Sequence, residues 1–421
     1  MSRLVSRRLD CGMPLIIEPM TGVRSVGIAW NVPAGYAAEP DHLQGQSAMW
    51  SELLLRGCGT LDSRGQTDAL DRLGISRSVD NGAIFMRFGF TLVGDRLAES
   101  LPLLVDMVRR PRMDQESIEP VRDLSLQAIE SLKDDPSERV SLKLRERHCP
   151  SPLNRTGLGT VEGLGALTRQ NLLDGWHARA LPEGSILAIA GEVDSAGGPD
   201  EIAKMLNDLF TGWRGKAEEP KINGAPDRGT YHHIQDKSAQ VHIVLAHEAP
   251  KEINEHAPLE RFVSSVLSGG MSARLFIEVR EKRGLCYSVS QNYSAERDWG
   301  QCSAYVGTMP ERAQESLDVL MAELAKMQAS SCAPAEITEE EFAVALTGIK
   351  SRLVFSGEST GARAGALASD QYKRGRPRTL EEIAGVYDAI TLDQVNAYVR
   401  QRQPGPITLV TLGPAPLQPP K

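Results

Sequence analysis

Met271-Ser272-Ala273-Arg274-Leu275-Phe276-Ile277-Glu278-Val279-Arg280-Glu281-Lys282-Arg283-Gly284-Leu285-Cys286-Tyr287-Ser288-Val289-Ser290 predicts a helix, a glycine stop and the first strand of a hairpin. Leu275, Phe276 and Val279 supply the expected core face of the helix. Gly284 supplies the left-handed residue that ends it. Arg280, Lys282 and Arg283 gather at the C-terminal end, where the helix dipole favours cations. The return strand is expected at about 302–306, so helix and sheet are local neighbours and the sheet is antiparallel.

The same plan occurs in both halves of the chain. In the first half, 15–18 and 26–32 read as strands, and Asp80-Asn81-Gly82 marks a hairpin turn. After it Ile84, Met86, Phe88, Phe90 and Leu92 alternate onto one face, as in a sheet covered on one side. Ser63-Arg64-Gly65-Gln66 reads as a capping-box helix start. Helices are expected at 46–55, around Leu97 to Val108, and at 116–134, stopped by Pro136. In the second half, Val241, Ile243 and Leu245 alternate, and Leu259, Phe262, Val263 and Val266 mark a helix. Two more carry Leu317, Leu320, Met321 and Leu324, and Phe342, Leu346, Ile349 and Leu353.

The ends of the halves match directly. Ala166-Leu167-Thr168-Arg169-Gln170-Asn171-Leu172 leads into strand 185–190, and Ala389-Ile390-Thr391-Leu392-Asp393-Gln394-Val395 leads into 407–411. The offset of roughly 220 residues is that of a two-copy architecture. The reading is an α+β fold of two homologous domains, 1–214 and 230–421. Each is an antiparallel sheet with helices mainly on one face, and a Lys/Glu/Pro/Gly-rich linker joins them at 215–229.

The bulk numbers agree. A chain of 421 residues suits two cores of about 200 residues. Hydrophobic content of 41%, charged content of 24% and a net charge of −8 describe a globular protein with no basic tract for nucleic acid. The six cysteines (Cys11, Cys58, Cys149, Cys286, Cys302 and Cys332) form no C-x-x-C pair, which fits a reducing compartment. No signal peptide or spanning run is evident, so a cytoplasmic protein away from membranes is expected.

The stretch 271–290 closely resembles the C-terminal signature of the M16 metallopeptidases, the family of pitrilysin, insulinase and mitochondrial processing peptidase. Cys286 is a small departure, standing where Ala is common. The resemblance runs from the N-terminal strands to Leu412. It implies two LuxS/MPP-like α+β domains facing each other across a cavity. It also implies that Arg283 and Tyr287 bind substrate, opposite a zinc held by the other domain.

The family's zinc motif is H-x-x-E-H on a helix, with a glutamate ligand on a later helix. The matching helix lies between Gly45 and Gly57. It has Ala48 at the first histidine, Ser51 at the general base and Glu52 at the second histidine. The third ligand falls near Ala128, counted back from Asp134-Asp135-Pro136. A methyl group cannot ligate zinc and one carboxylate cannot hold it alone, so no metal or cofactor is expected in this chain. A replacement site from His42, Glu52 and Cys58 lacks any fixed geometry. His232, His233, His242 and His247 are expected to face solvent, and His148 to be structural.

Taken singly, Arg283 is a dipole-matched surface cation and Tyr287 an ordinary strand tyrosine. The resemblance reverses that weighting. It implies a non-catalytic, peptide-binding subunit that pairs with a catalytic chain carrying zinc. The alternatives are a structural subunit, like the M16-derived proteins of a respiratory complex, and a peptide-binding homodimer without proteolysis.

Overall fold

A computed structural model describes residues 4–225, 227–329 and 336–419. Cys332 lies outside the described residues. The chain forms two compact units. One comprises Met1–Ser131, Arg155–Asn223 and Ser356–Thr379; the other comprises Leu132–Asn154, Gly224–Phe355 and Leu380–Lys421. The break at Asn223 falls inside the stretch that composition marks as a linker. The segments 132–154 and 356–379, however, are exchanged between the halves of the sequence.

The strands of the first unit are β1 (Val5–Arg8), β2 (Pro14–Pro19), β3 (Ser25–Val32), β4 (Gly57–Cys58), β5 (Leu61–Asp62), β6 (Ser76–Asn81), β7 (Met86–Val93) and β8 (Ile186–Gly191). β4 and β5 make a small ribbon, and the others form a sheet ordered β1-β2-β8-β3-β7-β6. The second unit has β9 (Tyr231–Gln235), β10 (Val241–Glu248), β11 (Cys286–Ala295), β12 (Gly300–Thr308) and β13 (Thr408–Gly413), ordered β11-β12-β10-β13-β9. Reversed, the second order superposes on β2-β8-β3-β7-β6, which is the duplication in topological form. Both sheets are antiparallel except at one equivalent place, where β2 runs parallel to β8 and β9 to β13.

One face of the first sheet carries the large core. Helices α1 (Gln46–Leu53), α2 (Ser63–Arg72), α3 (Leu97–Arg109) and α4 (Gln115–Ser131) follow the plan of the sequence. The cap of α2 differs from expectation. Asp62, not Ser63, accepts from Gly65 N at 2.8 Å, and Gln66 is buried, its side chain bonding Gly57 N and Leu54 O. Pro136 stops one helix by starting another. It is the first residue of α5 (Pro136–His148), whose N-cap is Asp135. Then come α6 (Val161–Ala166), α7 (Arg169–Arg179) and α8 (Gly198–Leu209). Trp30, Phe88, Trp50 and Trp176 fill the core beneath them.

The second unit's main core lies under α9 (Ala257–Ser268), α10 (Ala313–Ala325) and α11 (Glu339–Glu358). It is completed, after α12 (Thr360–Arg374), by α13 (Leu380–Asp388) and α14 (Leu392–Gln401). The stretches that match in sequence make matching caps. Thr168 with Asn171 opens α7, and Thr391 with Gln394 opens α14, each as a full capping box.

The opposite face of each sheet is covered by one exchanged helix. On the first sheet, Ala364, Leu367 and Ala368 of α12 meet Ile16, Ala29, Ile186, Ala188 and Ala190. A Cβ on Gly27 would lie 2.3 Å from the backbone of Thr360, so glycine permits this approach. Arg363 is paired with buried Glu18 on β2. On the second sheet, Val140 and Leu144 of α5 pack on Val244, Ala246, Val410 and Leu412. Arg139 bonds Asp236 at 2.6 Å and His148 bonds Thr408 at 2.8 Å.

Candidate functional site

The segment holding the Arg/Tyr pair departs from the simple helix the sequence suggests. After Arg274 and Leu275 it widens into a π-helical turn, Phe276–Glu281, with Lys282 N bonded to Ile277 O at 2.9 Å. Leu275 and Val279 are fully buried as expected. Phe276 is only half-buried; its ring instead lies under the Arg280 guanidinium, 4.7 Å from the centroid. Gly284 ends the turn at φ 59°, the left-handed region.

The π turn brings residues five apart onto one side. Arg283 Nη1 donates to both Oε2 and the backbone carbonyl of Glu278, each at 2.7 Å. Lys282 Nζ bonds the other carboxylate oxygen at 2.6 Å. The bonds from Lys282 and then Arg283 hold the Glu278 carboxyl below its usual range, so it stays charged. Arg312 Nη2 donates to Arg283 O at 3.0 Å, tying the loop after β12 to this backbone. The Arg283 side chain is 39% exposed.

Tyr287 sits at a β-bulge. Cys286 pairs with Thr308 and Ser288 with Gly307, leaving Tyr287 as the extra residue of β11. Bulges re-aim side chains, and this one leaves Tyr287 81% exposed. The Arg280 guanidinium lies 5.0 Å from its ring centroid, so Arg280 touches both Phe276 and Tyr287. Arg283 Nε and Nη2 and the Tyr287 hydroxyl have no protein partner among the described residues. A guanidinium edge and a phenol with free donors can bond a peptide carbonyl or an oxyanion developing from it. The support that Glu278 gives Arg283 escapes sequence reasoning because an i to i+5 relation shows only once the π turn is known. The contacts of Arg280 with Tyr287 and of Arg312 with Arg283 show only once the turn and hairpin are folded.

In the other unit, the helix matched to the zinc motif is α1. It is firmly built. Gly45, at φ 121°, starts it, and the buried Glu39 carboxylate accepts from Gly45 N and Ser47 N at 2.8 and 2.6 Å. Trp50 bonds Leu172 O at 3.1 Å, and α1 packs against α4, which carries Ala128. The positions that would face a metal do not fit one. Ala48 is partly buried, Ser51 spends its hydroxyl on Ala48 O at 2.7 Å, Glu52 is exposed with Arg56 at 3.8 Å, and Ala128 is exposed. His42 and Glu52 are exposed, while Cys58 is buried and burial pushes its thiol up to about 12. Among the described residues no group of three or more His, Cys, Asp or Glu side chains could hold a metal ion.

The histidines of β10 correct an expectation. His242 and His247 are buried, not solvent-facing. His242 shares the face of Val244 and Ala246, which α5 covers, while His247 shares the opposite, core face of Val241, Ile243 and Leu245, with Arg402 Nη2 at 3.4 Å from its Nε2. His242 Nδ1 bonds Tyr305 OH at 2.9 Å, and His247 Nδ1 bonds Glu248 O at 2.8 Å. His232 and His233 are half-buried on β9, His233 against Thr411 at 2.9 Å. His148 is buried, as a structural residue should be.

Two family models match successive stretches of the chain. Residues 16–160 match Insulinase (Peptidase family M16), and residues 166–348 match the Peptidase M16 inactive domain. An uncharacterized zinc protease of Mycobacterium leprae is 27% identical over 402 residues, covering 93% of this chain and 88% of the relative. The fold is similar to the crystal structure of a peptidase M16 inactive domain from Pseudomonas fluorescens, with TM-score 0.83, 19% identity and 99% of each chain covered. It is also similar to a chain of complex III2 from Candida albicans, with TM-score 0.78, 17% identity, and 98% of this chain and 96% of that one covered. The chain belongs to the M16 peptidase family. No described helix is long and apolar enough to cross a membrane.

Proposed function

We propose that this chain is the non-catalytic, substrate-binding subunit of a two-chain M16 peptidase. Arg283 and Tyr287 grip the peptide carbonyl, and a partner chain with an intact H-x-x-E-H holds the zinc. The observation that carries the reading is the contrast within one chain. Arg283 and Tyr287 present free donors on a purpose-shaped turn and bulge, whereas Ala48, Ser51, Glu52 and Ala128 offer no ligand set. The substrates are extended peptides, because the donors suit a backbone carbonyl and no charged specificity pocket is required.

The test is co-expression with a catalytic M16 chain of the same genome. The complex should cleave an unfolded polypeptide, and Arg283→Ala or Tyr287→Phe in this chain should slow it. Equal turnover in both variants would sink the assignment. The likeness to a complex III chain supports a second reading, a structural subunit without peptide processing; recovery of the native chain with a membrane complex would favour it.

A further inference from the structure

We propose that Glu278 and Arg280 are positioning residues for the binding pair, acting from one π turn to fix the inner side of each donor and leave its outer side free. The inference rests on the reading of Arg283 and Tyr287 as substrate-binding groups. Glu278 takes Arg283 by Nη1 alone, through both its carboxylate and its carbonyl. That leaves Nε and Nη2 on the open edge of the fork. Arg280 lies between Phe276 and Tyr287, 4.7 and 5.0 Å from their centroids. It therefore steadies an otherwise exposed ring by its face and leaves the hydroxyl clear.

Long exposed side chains lose rotamer freedom when they bind, and fixing them beforehand lowers that cost. In an α-helix, residues 278 and 283 would point in different directions, since neighbours on a face are three or four apart. The π turn makes them neighbours, so the local irregularity has a function. Lys282 neutralises the second carboxylate oxygen of Glu278, so Arg283 carries surplus positive charge toward a ligand.

The experiment has two arms on the full chain. In the first, NMR follows rotation about the Arg283 guanidinium Cζ–N bonds, its signal assigned by loss in Arg283→Lys. Glu278→Gln should speed that rotation about tenfold, the scale set by losing one charge-assisted hydrogen bond. Arg280→Met should leave it unchanged and instead speed flipping of the Tyr287 ring. The thermal midpoint should change little in both, because half-buried ion pairs at the surface add little to stability. Unchanged Arg283 rotation in Glu278→Gln overturns the proposal.

In the second arm, carboxymethylated casein is the probe for binding by interferometry. Glu278→Gln and Arg280→Met should each weaken capture several-fold, with Arg280→Lys recovering part of it. Full-strength capture by both variants, alongside loss in Arg283→Ala, overturns the proposal while sparing the binding role of Arg283. Equal capture by wild type, Arg283→Ala and Tyr287→Phe overturns the binding role, and with it the claim that Glu278 and Arg280 position binding groups.

Discussion

Glu260 and Arg402 form a two-pronged ion pair in the interior of the second unit: Arg402 Nε and Nη2 donate to the two carboxylate oxygens at 2.8 and 2.6 Å. Tyr398 OH and Cys302 Sγ add their hydrogens to the same carboxylate, at 2.5 and 3.1 Å. Arg402 Nη1 reaches Met327 O at 3.1 Å. Burial alone would raise the Glu260 carboxyl, but the charge and bonds of Arg402 bring it down to about 2. Arg402→Met would strand that carboxylate. Breaking one side of a buried pair costs about 3–5 kcal/mol, so urea unfolding should show a loss of that size. A loss below about 1 kcal/mol would show that the pair is replaceable.

Two buried histidines make the second unit sensitive to acid. Burial first, then the charge of Arg228, lowers His148 to about 4; burial first, then Arg402, lowers His247 to about 4. Both are therefore neutral in the fold but take a proton readily once unfolded, near 6.5. Their contribution is complete above about pH 6.5 and is lost as pH falls toward 4, because over that window the unfolded chain binds more protons than the folded one. Protonation of Glu260 extends the loss from about 4.5 down to 2. Stability should fall from about pH 7 to about pH 5, and His247→Gln should flatten the slope. A slope the same in wild type and variant would refute this assignment.

The proposed match of Ala48, Ser51, Glu52 and Ala128 to the family's metal positions can be tested by rebuilding the ligand set. Ala48→His, Ser51→Glu, Glu52→His and Ala128→Glu together restore the family's ligand set on α1 and α4, which already pack together. Zinc measured after dialysis should be near zero for wild type and near one per chain for the fourfold variant. Should the variant fold and hold no zinc, the registration of α1 or of Ala128 on α4 is wrong.

Much of the fold is legible in the sequence because amphipathic periodicity survives wherever one face is buried and the other wet. Phe88, Phe90 and Leu92 mark their strand, and Thr168 and Thr391 mark two helix starts that the structure caps identically. What stays hidden depends on partners distant in sequence. His242 reads as exposed because α5, which covers its face, belongs to the other half of the chain, and His247 lies on the opposite face against Arg402, which is far along the sequence. Ile84 shares the strand's alternation yet packs with Phe85 in the cluster beneath α12. At the candidate site, Arg283 and Tyr287 can be picked out by resemblance. The π turn and the bulge that display them carry no residue signature of their own, and Asp62 caps α2 one residue before the expected Ser63.

The edge position of Tyr287 predicts a clean separation of binding from stability. Tyr287→Phe removes one exposed hydroxyl with no protein partner among the described residues, so stability should be unchanged within about 0.5 kcal/mol. Peptide capture should nevertheless drop. A stability loss of about 1 kcal/mol or more by denaturant titration would show that the hydroxyl has a structural bond in solution.

Whether two chains share one active site is decided by a peptidase assay of three samples: this chain alone, a catalytic M16 chain of the same genome alone, and the two co-purified. Cleavage of carboxymethylated casein is expected from the complex only. Arg283→Ala in this chain should lower that rate by about 10²–10³, the size of losing one oxyanion donor. Cleavage by this chain alone, or a complex indifferent to both Arg283 and Tyr287, would rule out the shared site.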